Sequence, residues 1–413
     1  MKILHVIGQR PEKTGSGVYL QAIAKESKKQ GHQNYLVAGV PLNKIPESEN
    51  IPPDCCQYVH FESDHLNFPV TGMSDVMPYK SSLFKELKGE RLDAYKTVFK
   101  KTLERAVNLY KPDIIHTHHL LVLTALTRQL FPDMPIVTTC HGTDLRQYNN
   151  CEHLRGFVKK HCRQLDMIIA LTEDQIRNII KLYDISPDRI CTVSGGYDDQ
   201  IFYRIPKTFN SKVHILYAGK FNLSKGVPWL LKSLAKIQDH NWHLHMAGSG
   251  RGPEFEDCID LIKKLGPKVT NHGYVTHHRL SALMKKAHIQ MLPSFFEGLP
   301  LVLFEGLASG CRIITNNLSG FDEIFGGAKR ETVDLIQLPA LETIDQPYQK
   351  DEEWLQDELA GKIVKMMSNV KECPDFDDPQ AEKIVSQYIW KKIFKRILSV
   401  YQDTIHERTG RIH

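Results

Sequence analysis

Two glutamates eight residues apart, Glu297 and Glu305, flank an apolar segment running Gly298-Leu299-Pro300-Leu301-Val302-Leu303-Phe304. The preceding residues, His288–Pro293, read as a buried strand. Pro300 favours the first turn of a helix, so the spacing predicts a helix N-terminus there, with the amides of Gly298, Leu299, Leu301 and Val302 pointing above the strand end. Free amides and the helix dipole attract anions. A carboxylate beside them serves something else: it suits the vicinal hydroxyls of a ribose or sugar ring, which it can accept bidentately. Upstream, Tyr217-Ala218-Gly219-Lys220-Phe221-Asn222-Leu223-Ser224-Lys225-Gly226 sets Lys220 and Lys225 at another strand end. Two ammonium groups there supply point charges for a diphosphate. The loops Gly248-Ser249-Gly250-Arg251-Gly252 and His272-Gly273-Tyr274-Val275 close further strands on the same edge. In the first half, Thr14-Gly15-Ser16-Gly17 opens a helix after the first strand, a turn in which backbone can approach a phosphate or sugar closely. His141 follows the apolar strand Pro135–Cys140.

These residues need strands that all end on one edge. Short apolar runs alternate with helical patterns along the whole chain, which implies parallel sheets with helices on both faces. Strands are expected at Ile3–Ile7, Asn34–Val40, Asp113–Thr117, Pro135–Cys140, Met167–Leu171 and Ile190–Ser194. The series restarts with strands at Val213–Ala218, Trp242–Ala247, Val269–Val275, His288–Pro293 and Arg312–Thr315. Helices are expected at Val18–Gln30, Val227–Gln238, Glu254–Leu265, Arg279–Lys286 and Leu301–Ser309. Tyr203–Ser211 is polar, contains a proline and reads as the linker. Residues 41–80 and 339–352 read as irregular excursions, and Ser82–Tyr110 as one long basic amphipathic helix.

A chain of 413 residues with 41% hydrophobic and 24% charged residues is an ordinary globular composition and suggests two domains. The longest apolar stretch, near Leu120–Leu126, is far short of the ~20 residues of a membrane span. The first apolar run is too short for a signal peptide and reads as a strand. Nine scattered cysteines with no C-x-x-C pair fit free thiols in a reducing cytosol. A net charge of +5, most of it in residues 1–210, is too mild for nucleic acid and permits weak attraction to an anionic surface. A dinucleotide fingerprint would want a third glycine near Leu20, which counts against a dehydrogenase.

The ensemble resembles the glycosyltransferase family 4 proteins, retaining sugar-nucleotide transferases of the GT-B fold, over nearly the whole chain. Its markers are the N-terminal glycine loop, DIIHTHH at 113–119, HGTD at 141–144, GGYDDQIF at 195–202, GK-x4-KG at 219–226, GSGRGPE at 248–254 and the Glu-x7-Glu segment at 297–305. The resemblance implies an α/β chain of two Rossmann-like doubly wound domains facing across a cleft: an acceptor-binding domain at 1–205, a donor-binding domain at 206–387, and a C-terminal helix near 388–413 packed back on the first. It implies that Lys220 and Lys225 hold the donor diphosphate, Glu305 the ribose, and the Gly273–Val275 backbone the base. Glu297 would contact the transferred sugar, with His141 near the anomeric centre and Gly15 and Gly17 letting the first loop approach sugar and phosphate. The catalytic set is thus His141, Glu297 and Lys225, with Gly248, Tyr274, Gly298, Leu299, Leu301 and Val302 on the donor. Where this family commonly has Arg, Lys220 supplies a point charge instead of a bidentate fork.

The implied activity is transfer of a hexosyl or N-acetylhexosaminyl group, with a UDP-sugar as the preferred donor, to the hydroxyl of a sugar, lipid-linked or small-molecule acceptor. Neither metal nor other cofactor is expected. The expected location is cytoplasmic, with weak peripheral contact at the inner membrane face as a lesser alternative. Two rival readings remain: a GT-B nucleotide-sugar 2-epimerase, which needs no acceptor, and a non-catalytic sugar-nucleotide-binding protein. Asp375-Phe376-Asp377-Asp378 looks like a metal-chelating D-x-D, but the following Pro379 marks a helix start, where Asp caps. His116 and His118 share a strand face, and no carboxylate or thiol cluster completes a metal site with them.

Overall fold

The computed structural model describes all residues except 13, 45, 47–49, 75–76, 298, 319–320, 344 and 411–413. The chain divides into two compact units: Met1–Gly195 together with Trp390–His413, and Gly196–Ile389.

The first unit runs β1 (Lys2–Ile7), α1 (Gly15–Lys29), β2 (Gln33–Pro41), β3 (Cys56–Phe61), β4 (Thr71–Gly72), β5 (Ser82–Leu83), α2 (Glu90–Tyr110), β6 (Ile114–His118), α3 (Val122–Leu130), β7 (Ile136–Cys140), α4 (Thr143–Asn150), α5 (Glu152–Cys162), β8 (Met167–Ala170), α6 (Glu173–Tyr183) and β9 (Ile190–Thr192). Seven strands form a parallel sheet in the order β3-β2-β1-β6-β7-β8-β9. The direction of strand addition reverses between β1 and β6, where such sheets open a crevice at their carboxyl ends.

The second unit repeats the plan with β10 (Val213–Ala218), α7 (Val227–Ala235), β11 (Trp242–Ala247), α8 (Pro253–Leu265), β12 (Val269–Asn271), α9 (His277–Lys286), β13 (Ile289–Leu292), α10 (Leu301–Ala308), β14 (Arg312–Asn316), α11 (Phe321–Phe325), β15 (Val333–Ile336), the short pair β16 (Leu341–Thr343) and β17 (Gln346–Pro347), α12 (Glu352–Glu372) and α13 (Pro379–Val385). Its parallel sheet has the order β12-β11-β10-β13-β14-β15, with the switch between β10 and β13. The last helix, α14 (Trp390–Gly410), belongs to the first unit.

Alternation along the strands sorts the first core into two layers. Ile3, Ile114, Val137 and Ile169 meet Tyr19 and Ile23 of α1 and Trp390, Ile393, Phe394, Ile397 and Tyr401 of α14. Leu4, Val6 and Ile115 face the opposite way, onto Phe99, Leu103, Ala125 and Val158. Apolar burial of roughly 1.5–3 kcal/mol per large side chain makes the α14 face a substantial part of this unit's stability. Arg408 on α14 also pairs with Asp166, which holds the buried Arg128.

Several boundaries differ from the sequence reading. The excursion at 41–80 contains β3, an edge strand whose mixed composition (Gln57, Tyr58 and His60 among apolar residues) hides its alternation. The long helix expected at Ser82–Tyr110 begins only at Glu90, because Gly89 takes φ +51 and breaks the turn. Helix α12 fills a stretch to which no element had been assigned, and strand β12 stops at Asn271, leaving Gly273–Val275 in a loop. The C-terminal helix expected near 388–413 starts at Trp390: the Tyr388 carbonyl accepts the Tyr197 amide and Ile389 is extended. Tyr388 and Ile384 therefore pack on the second core, not the first. The division falls at Gly195–Gly196 and not at the polar linker 203–211, since Phe202 already lies in the second core.

Candidate functional site

In the second unit the switch between β10 and β13 brings the predicted residues together. The loop after β10 carries Lys220 and Lys225, and the loop after β13 carries Glu297. Lys225 Nζ lies 2.7 Å from Glu297 Oε1 and 3.3 Å from the Phe296 carbonyl, and Ser294 Oγ donates to the same Glu297 oxygen at 2.8 Å. The approach is held by backbone: the Phe295 amide donates to Ser224 O, and Gly226 sits at φ +68 against Pro293, where a Cβ would come 1.9 Å from the carbonyl oxygen. Only glycine fits there. Lys220 is exposed, and its carbonyl accepts the hydroxyl of the fully buried Tyr217 at 2.6 Å.

Glu305 lies on α10, half-buried, and burial pushes its pKa up to about 7. A carboxyl that poorly solvated is ready to gain from hydroxyl donors. Gly248 joins the Gly273 loop through its amide. Tyr274 is 83% exposed beside them, while Val275 packs inward. Leu299, Leu301 and Val302 lean on the core. Two expectations change here. Pro300 is the cap of α10 and not its first turn, and the Leu301 amide is taken by Leu299 O, so it does not join an anion-binding set. Gly298 lies outside the described residues.

In the first unit the site residues converge above β1, β6 and β7. Thr14 caps α1 by accepting the Gly17 amide, and Gln9 Nε2 donates to Thr14 Oγ1 and Ser16 Oγ. His119, held at φ +76, reaches Ser16 Oγ at 3.0 Å. His141 is half-buried, its Nε2 3.2 Å from His118 Nδ1 and its ring edge-on to Tyr19. Burial drives its pKa down to about 3, so the ring is neutral. The fully buried Asp144 Oδ2 accepts the amides of Leu120 and His141, tying the exits of β6 and β7. Gly17 proves to be a packing glycine: a Cβ would sit 2.7 Å from the Pro11 carbonyl carbon, which accounts for it without any ligand. Gly15 is exposed with open space around it.

Gln9, Ser16, His118, His119 and Asp144 were not singled out as site residues from the sequence. HGTD had included Asp144 only as a marker, and a buried carboxylate three residues after a strand-end histidine was the available signal. His5 joins His116 and His118 across β1 and β6, each offering a ring nitrogen within 4.8 Å of the others. His116 spends both nitrogens on Tyr401 and Thr139, at 2.6 and 2.8 Å, so the trio is a packed imidazole stack and a poor ligand set. Asp378 caps α13 and accepts the Lys329 amide, and Asp375 pairs with Arg204.

Residues 13–201 match the family Glycosyltransferase Family 4, and residues 199–333 match Glycosyl transferases group 1. The chain is a GT-B-fold protein related to these glycosyltransferases. A glycogen synthase of Mycobacterium tuberculosis is 25% identical over 226 residues, 52% of this chain and 54% of the relative. The chain thus spans about half the length of that relative. The sucrose-phosphate synthase of Thermosynechococcus elongatus superposes with a TM-score of 0.71 at 16% identity, covering 98% of this GT-B chain and 100% of the other. The pneumococcal O-GlcNAc transferase in complex with UDP and GlcNAc gives 0.69 at 12% identity, over 98% and 99%. These two likenesses are of fold.

Proposed function

We propose that the protein is a retaining, metal-independent glycosyltransferase that moves a hexosyl or N-acetylhexosaminyl group from a nucleotide-sugar, preferentially a UDP-sugar, to an acceptor hydroxyl. The observation that carries this reading is the Lys225–Glu297 pair across the loops that leave β10 and β13, with Lys220 on the first of those loops and Glu305 on α10. In this reading the lysines compensate the diphosphate charge, Glu297 faces the sugar and Glu305 the ribose. A UDP complex of a protein with this fold supports the choice of base.

The lysines stabilise the leaving diphosphate as the glycosidic bond breaks through an oxocarbenium-like state, a charge field arranged before reaction. Glu305 accepts the ribose hydroxyls and Glu297 hydroxyls of the transferred sugar. In the first unit His141 offers a neutral imidazole to a sugar hydroxyl. Attack comes from the face the diphosphate leaves, and a departing phosphate oxygen takes the acceptor's proton.

The test is a donor screen over UDP-, GDP- and ADP-sugars by thermal shift and hydrolysis, followed by product analysis. A saturating donor at a hundredfold its dissociation constant stabilises by ~2.7 kcal/mol. A UDP-sugar should give the largest shift and a product that keeps the donor's anomeric configuration. Conversion of the donor without acceptor to its 2-epimer would identify an epimerase, and binding without turnover would leave a sugar-nucleotide-binding protein.

A further inference from the structure

One imidazole of the first unit is arranged to govern another. The His118 and His141 rings lie nearly parallel, 22° apart with centroids at 5.5 Å, and a 3.2 Å hydrogen bond joins His118 Nδ1 to His141 Nε2. Burial keeps both rings neutral, so a single proton serves that bond and two arrangements exist. In one, His118 donates from Nδ1, His141 accepts at Nε2, and His141 carries its own proton on Nδ1. In the other, His141 donates from Nε2, and His118 must carry its proton on Nε2.

The surroundings separate the two. His118 Nε2 is buried and has no hydrogen-bonding partner. The second arrangement seals an N–H there with no acceptor, whereas the first leaves only a lone pair. Buried donors without partners are the rarer and costlier case. His141 Nδ1 is not among the sealed atoms, and its ring is half-buried, so a proton on it faces outward. The pair has little freedom to rearrange: His116 stacks on His118 at 4.5 Å, Tyr19 meets His141 at 5.1 Å, and Asp144 holds the His141 amide.

We propose that His118 is a positioning residue that fixes the tautomer of His141, so that His141 presents an Nδ1–H donor and no basic nitrogen to its ligand. That the ligand is a sugar hydroxyl rests on the transferase reading; the tautomer does not. A neutral donor suits a hydroxyl oxygen and cannot act as general base. His141 is then not the group that takes the acceptor's proton.

The experiment uses the full chain labelled with 15N-histidine and long-range 1H–15N correlation, with His141 and His118 signals assigned by their loss in His141→Gln and His118→Leu. His141 should show a protonated Nδ1 and an unprotonated Nε2. In His118→Asp at pH 8, whose carboxylate can only accept, the His141 proton should move to Nε2, with kcat down roughly tenfold and the donor KM within about twofold. His118→Asn, whose side-chain amide can donate, should keep the wild-type tautomer and rate. A wild-type His141 protonated on Nε2 overturns the proposal, and so does an unchanged tautomer in a folded His118→Asp. Should His118→Asp fail to fold, the wild-type spectrum decides alone. The expected tautomer with no transfer from any donor would sink the transferase reading and leave this one standing.

Discussion

Lys225 and Glu297 form an ion pair of 2.7 Å between the loops that leave β10 and β13. Their side chains are only 23% and 15% exposed, so removing one partner leaves the other charge poorly solvated. The pair's interest is that two groups assigned to different parts of one ligand neutralise each other without it. The two should therefore respond in opposite ways. Lys225→Ala should weaken UDP binding by roughly 10- to 150-fold, the equivalent of a lost charge-assisted hydrogen bond of ~1.5–3 kcal/mol. Glu297→Gln frees the lysine, so UDP should bind as tightly as to wild type or more so, while transfer falls at least about tenfold. Calorimetry and turnover on both variants check this; equal loss of UDP affinity in the two would refute the division of roles.

Glu305 sets a pH dependence. Burial raises its carboxyl pKa to about 7, and in the proposed role only the ionised form would accept two ribose hydroxyls. Ligand binding favours that form, so affinity rises with pH up to about 7 and then levels. UDP should bind about tenfold more weakly at pH 6 than at pH 8. The nucleotide's own phosphate titrates nearby, so Glu305→Gln is the control: its smaller remaining slope belongs to the phosphate. Glu305→Ala should cost roughly 10- to 150-fold in UDP affinity. Uridine, which keeps the ribose, should show the same loss. If uridine binds the variant normally, the ribose assignment is wrong.

The same raised pKa has a stability consequence of opposite sign. The folded state holds the Glu305 proton more tightly than the unfolded chain does, so this group favours folding below its ordinary pKa of 4.5 and that contribution disappears as pH rises to about 7. Comparing wild type with Glu305→Gln by denaturant midpoint at both ends of that window measures it. The difference between them should change across the window and stay flat above it.

Transfer should persist in EDTA. In the proposed reading Lys220 and Lys225 supply the positive field, and Asp375 and Asp378 are committed to Arg204 and to capping α13. Loss of activity in EDTA that Mn²⁺ or Mg²⁺ restores would reopen the Asp375–Asp378 segment.

Helix α14 is required by the first unit. A chain ending at Ile389 exposes Ile3, Tyr19, Ile114 and Val137. It should bind a hydrophobic dye and lose cooperative unfolding of that unit, because a patch of this size cannot stay in water unpaired. Tyr401→Phe is a milder probe. It removes the hydroxyl 2.6 Å from His116 Nδ1 and should cost ~1–3 kcal/mol through a buried nitrogen left without a partner. Native stability in the truncated chain would show the helix to be dispensable.

Strand ends and the glycines, lysines and glutamates that follow them were legible because parallel sheets place every strand's carboxyl end on one edge. The places of Lys220, Lys225 and Glu297 in the loops after β10 and β13, and of Glu305 on α10, therefore follow from order and spacing. Period-two and helical alternation likewise exposed most of both sheets. Edge strand β3 escaped because a half-covered strand need not alternate cleanly, and the Gly89 and Tyr388–Ile389 breaks escaped because a single backbone angle or a distant hydrogen bond leaves no periodic mark. The pairing of Lys225 with Glu297, the use of Gly17 for packing against Pro11, and the assembly of His118, His141 and Asp144 were decided only by the tertiary structure. Local sequence determines which element a residue sits on. Which side chains then share a proton, a charge or a buried face depends on strands brought side by side from far apart in the chain, and on how much water that packing leaves between them.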